Sequence, residues 1–105
     1  MKVKTDFGTY DVRIKMSEYR HGGGLAVLLE ELDGAPFATL TVNLDNHPTA
    51  GAYAYVDINN CPWAMAFIEQ YELGTYTGML GYSGYCQYPL YEFDLDKLLE
   101  FTNER

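Results

Sequence analysis

Two cysteines and two histidines are the residues of this chain best suited to nucleophilic chemistry. Cys61 stands at a predicted helix start, where the helix dipole lowers the pKa of a thiol, and His21 or His47 would be its base. The same cysteine also suits a small buried position beside Pro62 and Trp63. We favour the packing role and predict no catalytic residue.

The same four side chains are poorly spaced for metal binding. They are Cys61, Cys86, His21 and His47. Structural zinc sites usually draw their ligands from closely spaced pairs, and this chain has none. We therefore predict no metal site and no cofactor, and we expect both cysteines to be reduced thiols.

Two glycine-rich stretches match fragments of catalytic motifs. Residues 21–24 read His-Gly-Gly-Gly, a run that supplies oxyanion donors in some esterases, but residues 81–84 lack the second spacer of the Gly-x-Ser-x-Gly elbow. Gly78, Gly81 and Gly84 lack the Gly-x-Gly-x-x-Gly order of a phosphate-binding turn. Both stretches are interpreted as flexible backbone.

Tyrosine is the compositional outlier, with ten residues in the chain. Residues 75–91 combine glycine and serine with five tyrosines, which are Tyr76, Tyr82, Tyr85, Tyr88 and Tyr91. Tyrosine offers a large contact area at low entropic cost, and glycine and serine let a loop adapt. Two interpretations stay open. Either this segment is a partner-binding loop that uses Tyr76, Tyr82, Tyr85 and Tyr88, or the rings pack over a sheet with their hydroxyls in water.

Acidic residues near the C-terminus form a second candidate surface for a partner. Asp96, Glu100 and Glu104 are spaced four apart, which places them on one helical face at about 6 Å per step. Glu92 and Asp94 precede them. The spacing resembles that of phosphates along a nucleic-acid strand, so phosphate mimicry is one interpretation. An ordinary solvated helix face is the other.

The elements that must position these residues begin with a half-buried strand over residues 9–17. Its apolar residues alternate with polar ones and are Tyr10, Val12, Ile14 and Met16. Further extended segments are predicted over residues 3–7, 25–32, 38–44, 53–58 and 85–93. Asp33-Gly34 is a two-residue hairpin signal. The first half of the chain is therefore predicted to be an antiparallel meander.

Two amphipathic helices complete the prediction. In the first, Asn60 is the expected cap, Pro62 lies in the first turn and Gly74 ends the helix, with an apolar face of Ala64, Phe67, Ile68 and Tyr71. In the second, Asp94 is the expected cap before buried Leu95, Leu98 and Leu99. The predicted fold is α+β, a single domain over residues 1–105 with a meander sheet of about five to six strands and both helices packed on it.

Composition sets the class of partner. The chain of 105 residues is 48% hydrophobic, and its longest apolar runs are too short for a membrane span, so we expect a cytoplasmic protein without a signal peptide. Its net charge of −8 disfavours direct binding of nucleic acid. Residues 1–20 hold five bases and three acids, whereas residues 21–105 hold two bases and twelve acids. The charge therefore changes from +2 to −10 between these parts.

Three segments carry a resemblance to a known family. They are residues 36–44, residues 57–63 with Asp57-Ile58-Asn59-Asn60-Cys61-Pro62-Trp63, and residues 84–93. Over roughly residues 5–95 the chain resembles a small family without established activity, domain of unknown function 4313, whose members are found in gut bacteria and their mobile elements. That resemblance implies a setting and no catalytic residue. By association, small acidic proteins of such elements are often inhibitors of host defence, such as anti-CRISPR and antirestriction proteins.

The sequence therefore predicts a non-enzymatic acidic protein that binds a protein partner. The leading hypothesis is an inhibitor that covers the nucleic-acid-binding surface of a host defence nuclease with its acidic and tyrosine-rich surfaces. The alternative is an accessory module of a mobile element that forms a homodimer through a sheet edge or the tyrosines. A third hypothesis is a small thiol enzyme that uses Cys61 or Cys86. Membrane binding is not expected.

Overall fold

The computed structural model describes residues 1–45 and 47–102. These residues form eight strands and two short helices. The strands are β1 (Lys2–Thr5), β2 (Gly8–Glu18), β3 (Leu25–Glu31), β4 (Pro36–Thr39), β5 (Thr41–Val42), β6 (Tyr53–Val56), β7 (Gly74–Ser83) and β8 (Cys86–Phe93), and the helices are α1 (Ala64–Gln70) and α2 (Leu95–Glu100). Antiparallel strands and two small helices agree with the predicted α+β class.

The first sheet is a meander in the order β1-β2-β3-β4. β2 confirms the predicted alternation, since Val12 and Ile14 are buried, Arg13 between them is half-buried, and Asp11 and Lys15 on either side are exposed. The turn before Gly8 joins β1 to β2, and a turn at residues 32–35 joins β3 to β4. Period-two patterning thus placed β2 correctly.

The second sheet has the order β5-β6-β8-β7, and it makes the prediction of one sheet with five to six strands wrong. The predicted strand over residues 38–44 is divided between the two sheets at Leu40. The Leu40 N–H donates to Val27 O at 2.8 Å, whereas Leu40 O accepts from Asp57 N at 2.8 Å. One residue therefore bonds to β3 and to the segment after β6, and the chain crosses between sheets there.

Helix α1 covers the second sheet with the predicted apolar face, since Ala64, Phe67 and Ile68 are buried. Asn60 is not its cap, because the helix begins later, after Trp63, without a side-chain cap. The Asn60 amide instead donates to the Asp57 carboxylate at 2.8 Å. Asn60 N also donates to this carboxylate at 3.2 Å, so Asn60 belongs to a turn with Asp57 and not to the helix start.

Helix α2 begins as predicted, because the Asp94 carboxylate accepts a hydrogen bond from Lys97 N at 3.1 Å. Only Leu98 of its three leucines is buried, whereas Leu95 and Leu99 are exposed. The helix ends at Glu100, so it contains Asp96 and Glu100. Glu104 lies outside the described residues, and the predicted stripe of three acids is tested only at its first two members.

One buried cluster joins both sheets and both helices. It includes Ile14 and Val27 of the first sheet, Val56 of the second, Ile68 of α1 and Leu98 of α2. A smaller cluster of Leu44, Tyr55 and Leu90 lies apart from it, with Val42 and Tyr88 packed against it. Burial in these two clusters supplies the main favourable free energy for holding the site residues in place.

Candidate functional site

A groove of about 830 Å³ lies between helix α1 and the adjoining ends of β7 and β8. The helix contributes its polar face and the strands contribute aromatic and acidic side chains. Six of the lining residues are Glu69, Glu72, Tyr76, Tyr91, Glu92 and Asp94. The groove is therefore lined by four acidic residues and two tyrosines. Because side chains alternate along β8, the Glu92 side chain lies on the opposite face of the sheet from Tyr91, at the rim of the groove.

The groove is strongly acidic. No lysine or arginine lines it within the part of the chain that the structure describes. The nearest base on α2 is Lys97, whose Nζ lies 3.9 Å from Oε2 of Glu72. An exposed pair at this distance neutralises little, because both side chains are solvated. The groove thus carries a negative potential that suits lysine, arginine or another cation.

Glu92 lies on the central strand of the second sheet. Its antiparallel neighbours are Tyr53 on β6 and Thr75 on β7, and all three are exposed on the same face. The negative charge of Glu92, together with a hydrogen bond from the Tyr53 hydroxyl, raises the pKa of Tyr53. Tyr53 therefore stays a neutral hydrogen-bond donor beside the carboxylate.

Tyr76 and Tyr91 form the aromatic part of the groove. They are cross-strand neighbours, and their ring centroids are 5.7 Å apart. Burial raises the pKa of Tyr91, and the nearby charge of Glu69 adds to the effect. Tyr91 is almost fully buried, whereas Tyr76 is 40% exposed. Tyr76 is therefore the ring that offers a face to a ligand, and a tyrosine face beside carboxylates suits a cation.

The tyrosine-rich segment is an ordered hairpin of β7 and β8, so its backbone agrees with the interpretation of tyrosines on a sheet and not with that of a flexible loop. Only Gly84 and Tyr85 form its turn, where Gly84 has a φ of +60°. Tyr85 is fully exposed at the tip and Tyr82 is 54% exposed. Most of the tyrosines therefore lie on two paired strands, where side chains alternate between the two faces, and not in a flexible loop.

Tyr88 is separated from the other predicted tyrosines. Side chains alternate between the two faces along β8, so Tyr88 and Tyr91 point to opposite faces. Tyr76 is the cross-strand neighbour of Tyr91, so Tyr88 also points away from the face of Tyr76. There it packs against the smaller buried cluster, and its hydroxyl accepts a hydrogen bond from Asn59 Nδ2 at 3.3 Å. This placement gives Tyr88 a packing role.

The predicted acidic residues are likewise divided. Glu92 and Asp94 line the groove, whereas Asp96 and Glu100 are exposed on α2 outside its lining. Asp94 has two roles, because its carboxylate also caps α2.

Sequence reasoning missed Glu69 and Glu72, which supply half of the carboxylates of the groove. Both lie on the polar side of the first predicted helix, at i and i+3. Helical spacing could have indicated Glu69 alone, because α1 ends at Gln70 and Glu72 lies beyond it with a φ of +54°. Glu69 was overlooked because only the apolar face of that helix was used to place the helix on the sheet.

Comparison with known proteins identifies the family of this chain. Residues 13–105 match the family model of a domain of unknown function, DUF4313. The chain belongs to the DUF4313 family. The DUF4313 match begins later and ends later than the predicted resemblance over residues 5–95, and it includes both helices and all of the groove. No match was found among the curated proteins or among the solved structures.

The cysteines of this DUF4313 domain are free thiols, as expected. Cys61 is buried, and its Sγ lies 3.6 Å from the backbone oxygen of Thr39, to which it donates. Burial raises the pKa of the Cys61 thiol to about 11, and the charge of Asp57 adds to the effect. The predicted lowering by a helix dipole is wrong, because α1 begins three residues later and Cys61 lies in an apolar environment.

Among the described residues of this DUF4313 chain, no hydrogen bond joins a histidine to a cysteine. His47 Nε2 accepts a hydrogen bond from the Tyr82 backbone at 3.5 Å, and His21 is exposed in the turn before Gly22. Over residues 1–45 and 47–102, no three His, Cys, Asp or Glu side chains are grouped to hold a metal ion. In the same residues, no helix has the length and hydrophobicity that crossing a membrane requires.

Proposed function

We propose that this DUF4313 protein is a non-enzymatic interaction protein whose acidic groove binds basic side chains of a protein partner. The observation that carries the proposal is the set of four acidic residues that line one groove together with Tyr76, with no lysine or arginine among the described lining residues. Carboxylates pair with arginine through two parallel hydrogen bonds, and an exposed ring beside them adds a cation–π contact.

The class of partner follows from the charge of the chain. A protein with a net charge of −8 is attracted to basic surfaces, and the most basic protein surfaces are those that bind phosphate. Our proposal is that the partner is a nucleic-acid-binding protein, such as a nuclease of host defence, and that the chain acts as an inhibitor of the anti-CRISPR or antirestriction type. Asp96 and Glu100, one helical turn apart beside the groove-lining Asp94, extend the acidic surface.

Affinity co-purification from nuclease-treated bacterial lysate tests this function. Three tagged proteins are compared: the wild type, Glu69→Gln/Glu92→Gln, and the control Asp6→Asn/Glu18→Gln, which removes the same charge from the first sheet. We expect the wild type and the control to recover the same basic nucleic-acid-binding protein and the groove variant to lose it. Equal recovery by the groove variant, or recovery of the protein alone, would contradict the proposal.

A second candidate function is a self-associating module, and one observation favours it. The outer strand β7 exposes four large side chains, which are Tyr76, Met79, Leu80 and Tyr82. Apolar surface on an outer strand is a common route to dimers. Light scattering over a hundredfold range of concentration separates the two functions, because a constant monomer mass excludes the dimer.

A further inference from the structure

β7 lies at the outside of the second sheet, and its sequence is unusual for that place. In the order β5-β6-β8-β7 no described strand pairs with its outer side. Outer strands are normally protected by charged residues or proline, yet Gly74–Ser83 contains neither. In a chain with 21% charged residues, this uncharged stretch of ten leaves the backbone of an outer strand open to pairing.

The direction of the backbone groups shows which part of β7 is available. Phe93 N donates to Ala52 O at 2.8 Å, so it points towards β6 and away from its β7 neighbour Gly74. Antiparallel pairs alternate between bonded and non-bonded, so Tyr91 and Tyr76, two residues along, form the next non-bonded pair. The N–H and C=O groups of Gly74 and Tyr76 therefore point outwards.

The rest of the edge is closed to pairing. The register shifts between Tyr76 and Leu80, and Gly78 in this bulge has a φ of +86°. Beyond the bulge, Tyr82 N donates to His47 Nε2. Bulges interrupt strand addition, so the available stretch is residues 74–76. All three of these residues line the acidic groove.

We infer that residues 74–76 of β7 accept an extended, basic segment of the partner as an added strand, with its arginine or lysine side chains in the acidic groove. This inference rests on the proposed function and specifies the form of the partner. Backbone hydrogen bonds to Gly74 and Tyr76 would fix the segment, and the carboxylates of Glu69 and Glu92 would select its charge.

Charge decides between this occupant and a second copy of the chain. Antiparallel pairing of residues 74–76 with themselves would bring two sets of the same four carboxylates together, between molecules that each carry −8. Like charges placed together oppose association, whereas a basic segment gains from the same field.

A synthetic nine-residue peptide, in which arginine alternates with valine or threonine, tests the inference. Its affinity is measured by calorimetry with and without N-methylation of alternate backbone nitrogens, which keeps the charge and removes hydrogen-bond donors. Loss of two backbone hydrogen bonds should weaken binding by roughly five- to a hundredfold. Amide hydrogen exchange of Tyr76 should slow when the unmethylated peptide binds.

Two protein variants separate the contribution of the Tyr76 backbone N–H to binding from that of the Tyr76 ring. Tyr76→Pro removes the ring and an outward N–H, whereas Tyr76→Ala removes the ring alone, so the proline variant should bind more weakly.

Methylated and unmethylated peptides of equal affinity, with the Tyr76 amide unprotected, would overturn strand addition. The proposed function would survive that outcome if Glu69→Gln/Glu92→Gln still abolished binding. Absence of any binding to the unmethylated peptide would overturn the inference, as would protection of Tyr76 that rises with protein concentration alone.

Discussion

The hydroxyl of Thr41 links the two sheets at the point where the chain passes from one to the other. It accepts a hydrogen bond from Val27 N at 3.1 Å and lies 2.8 Å from the Tyr19 hydroxyl, and Thr41 is 3% exposed. A buried backbone donor on β3 is thus satisfied by a side chain rather than by a neighbouring strand. Burial raises the pKa of Tyr19, which keeps its hydroxyl protonated beside this threonine.

Thr41→Val should destabilise the fold by about 1–3 kcal/mol, because it leaves Val27 N–H buried without an acceptor while preserving the shape of the side chain. Urea unfolding followed by circular dichroism measures the effect. Thr39→Val is the matched control on the neighbouring strand, since its side chain is exposed, and it should change stability by less than about 0.5 kcal/mol. Equal effects of the two variants would contradict the role of this hydroxyl.

Cys61 should be unreactive in the folded protein. With a pKa of about 11, the thiol is almost wholly protonated at pH 8, and its reactive thiolate forms only as the pH rises towards 11. A disulfide exchange reagent at pH 8 should therefore modify only the partly exposed Cys86. Cys86→Ser should show no fast reaction until urea is added. A fast-reacting thiol in that variant would revive the hypothesis of a thiol enzyme.

At the scale of elements, the hairpin of β7 and β8 illustrates what local patterns convey. The sequence predicted an extended segment over residues 85–93 but left residues 75–84 unassigned, because glycine at three positions weakens strand propensity. In the structure each of those three glycines occupies a position that favours glycine. Gly78 lies in the bulge, Gly84 lies in the turn, and a side chain at Gly81 would lie 2.6 Å from the Tyr55 ring.

The division of residues 38–44 between two sheets illustrates what local patterns omit. Alternation of Ala38, Leu40 and Val42 with threonines is the same whether one strand continues or two strands meet. The outcome depends on non-local bonds of Leu40 to Val27 and Asp57. Non-local pairing of this kind cannot be predicted from the pattern of one segment taken alone.

Asp94→Ala should destabilise the protein by about 1 kcal/mol, because it removes the cap of α2. Asp94→Asn keeps a capping oxygen and removes the charge, so it should leave stability nearly unchanged while it weakens binding of a basic peptide. Thermal unfolding and calorimetry on the same two variants separate the structural role from the electrostatic one. If Asp94→Asn bound the peptide as well as wild type, Asp94 would have no part in the groove.

At the scale of the whole molecule, the charge asymmetry predicted from sequence is seen only in part, because β3 of the first sheet carries Glu30 and Glu31. Bases of the first twenty residues lie on β1 and β2 or directly after them, and two of them are paired, Lys2 with Asp11 at 2.6 Å and Arg13 with Glu30 at 2.7 Å. The acids of β8 lie on the second sheet and α1 contacts that sheet at β7, whereas α2, with Asp96 and Glu100, contacts β2 of the first sheet. Composition could therefore predict an acidic part of the chain. It could not predict the groove, which forms only because α1 packs against β7.

Lys97→Gln should strengthen binding of a basic peptide about two- to fivefold, because the Lys97 ammonium lies 3.9 Å from the carboxylate of Glu72, which lines the groove. Lys15→Gln makes the same change of charge on the first sheet and should have a smaller effect. Calorimetry at low salt measures both variants. An equal gain with Lys15→Gln would indicate that net charge, rather than the groove, governs binding.

The most direct test of the acidic groove is the affinity of the arginine peptide for Glu69→Gln/Glu92→Gln and for Asp6→Asn/Glu18→Gln, measured by calorimetry at two salt concentrations. Both variants carry the same net charge, so any difference between them arises from the position of the carboxylates. We predict that the groove variant binds at least about tenfold more weakly and shows a shallower salt dependence, and that the control binds nearly as wild type. Equal affinities of the two variants would contradict the account.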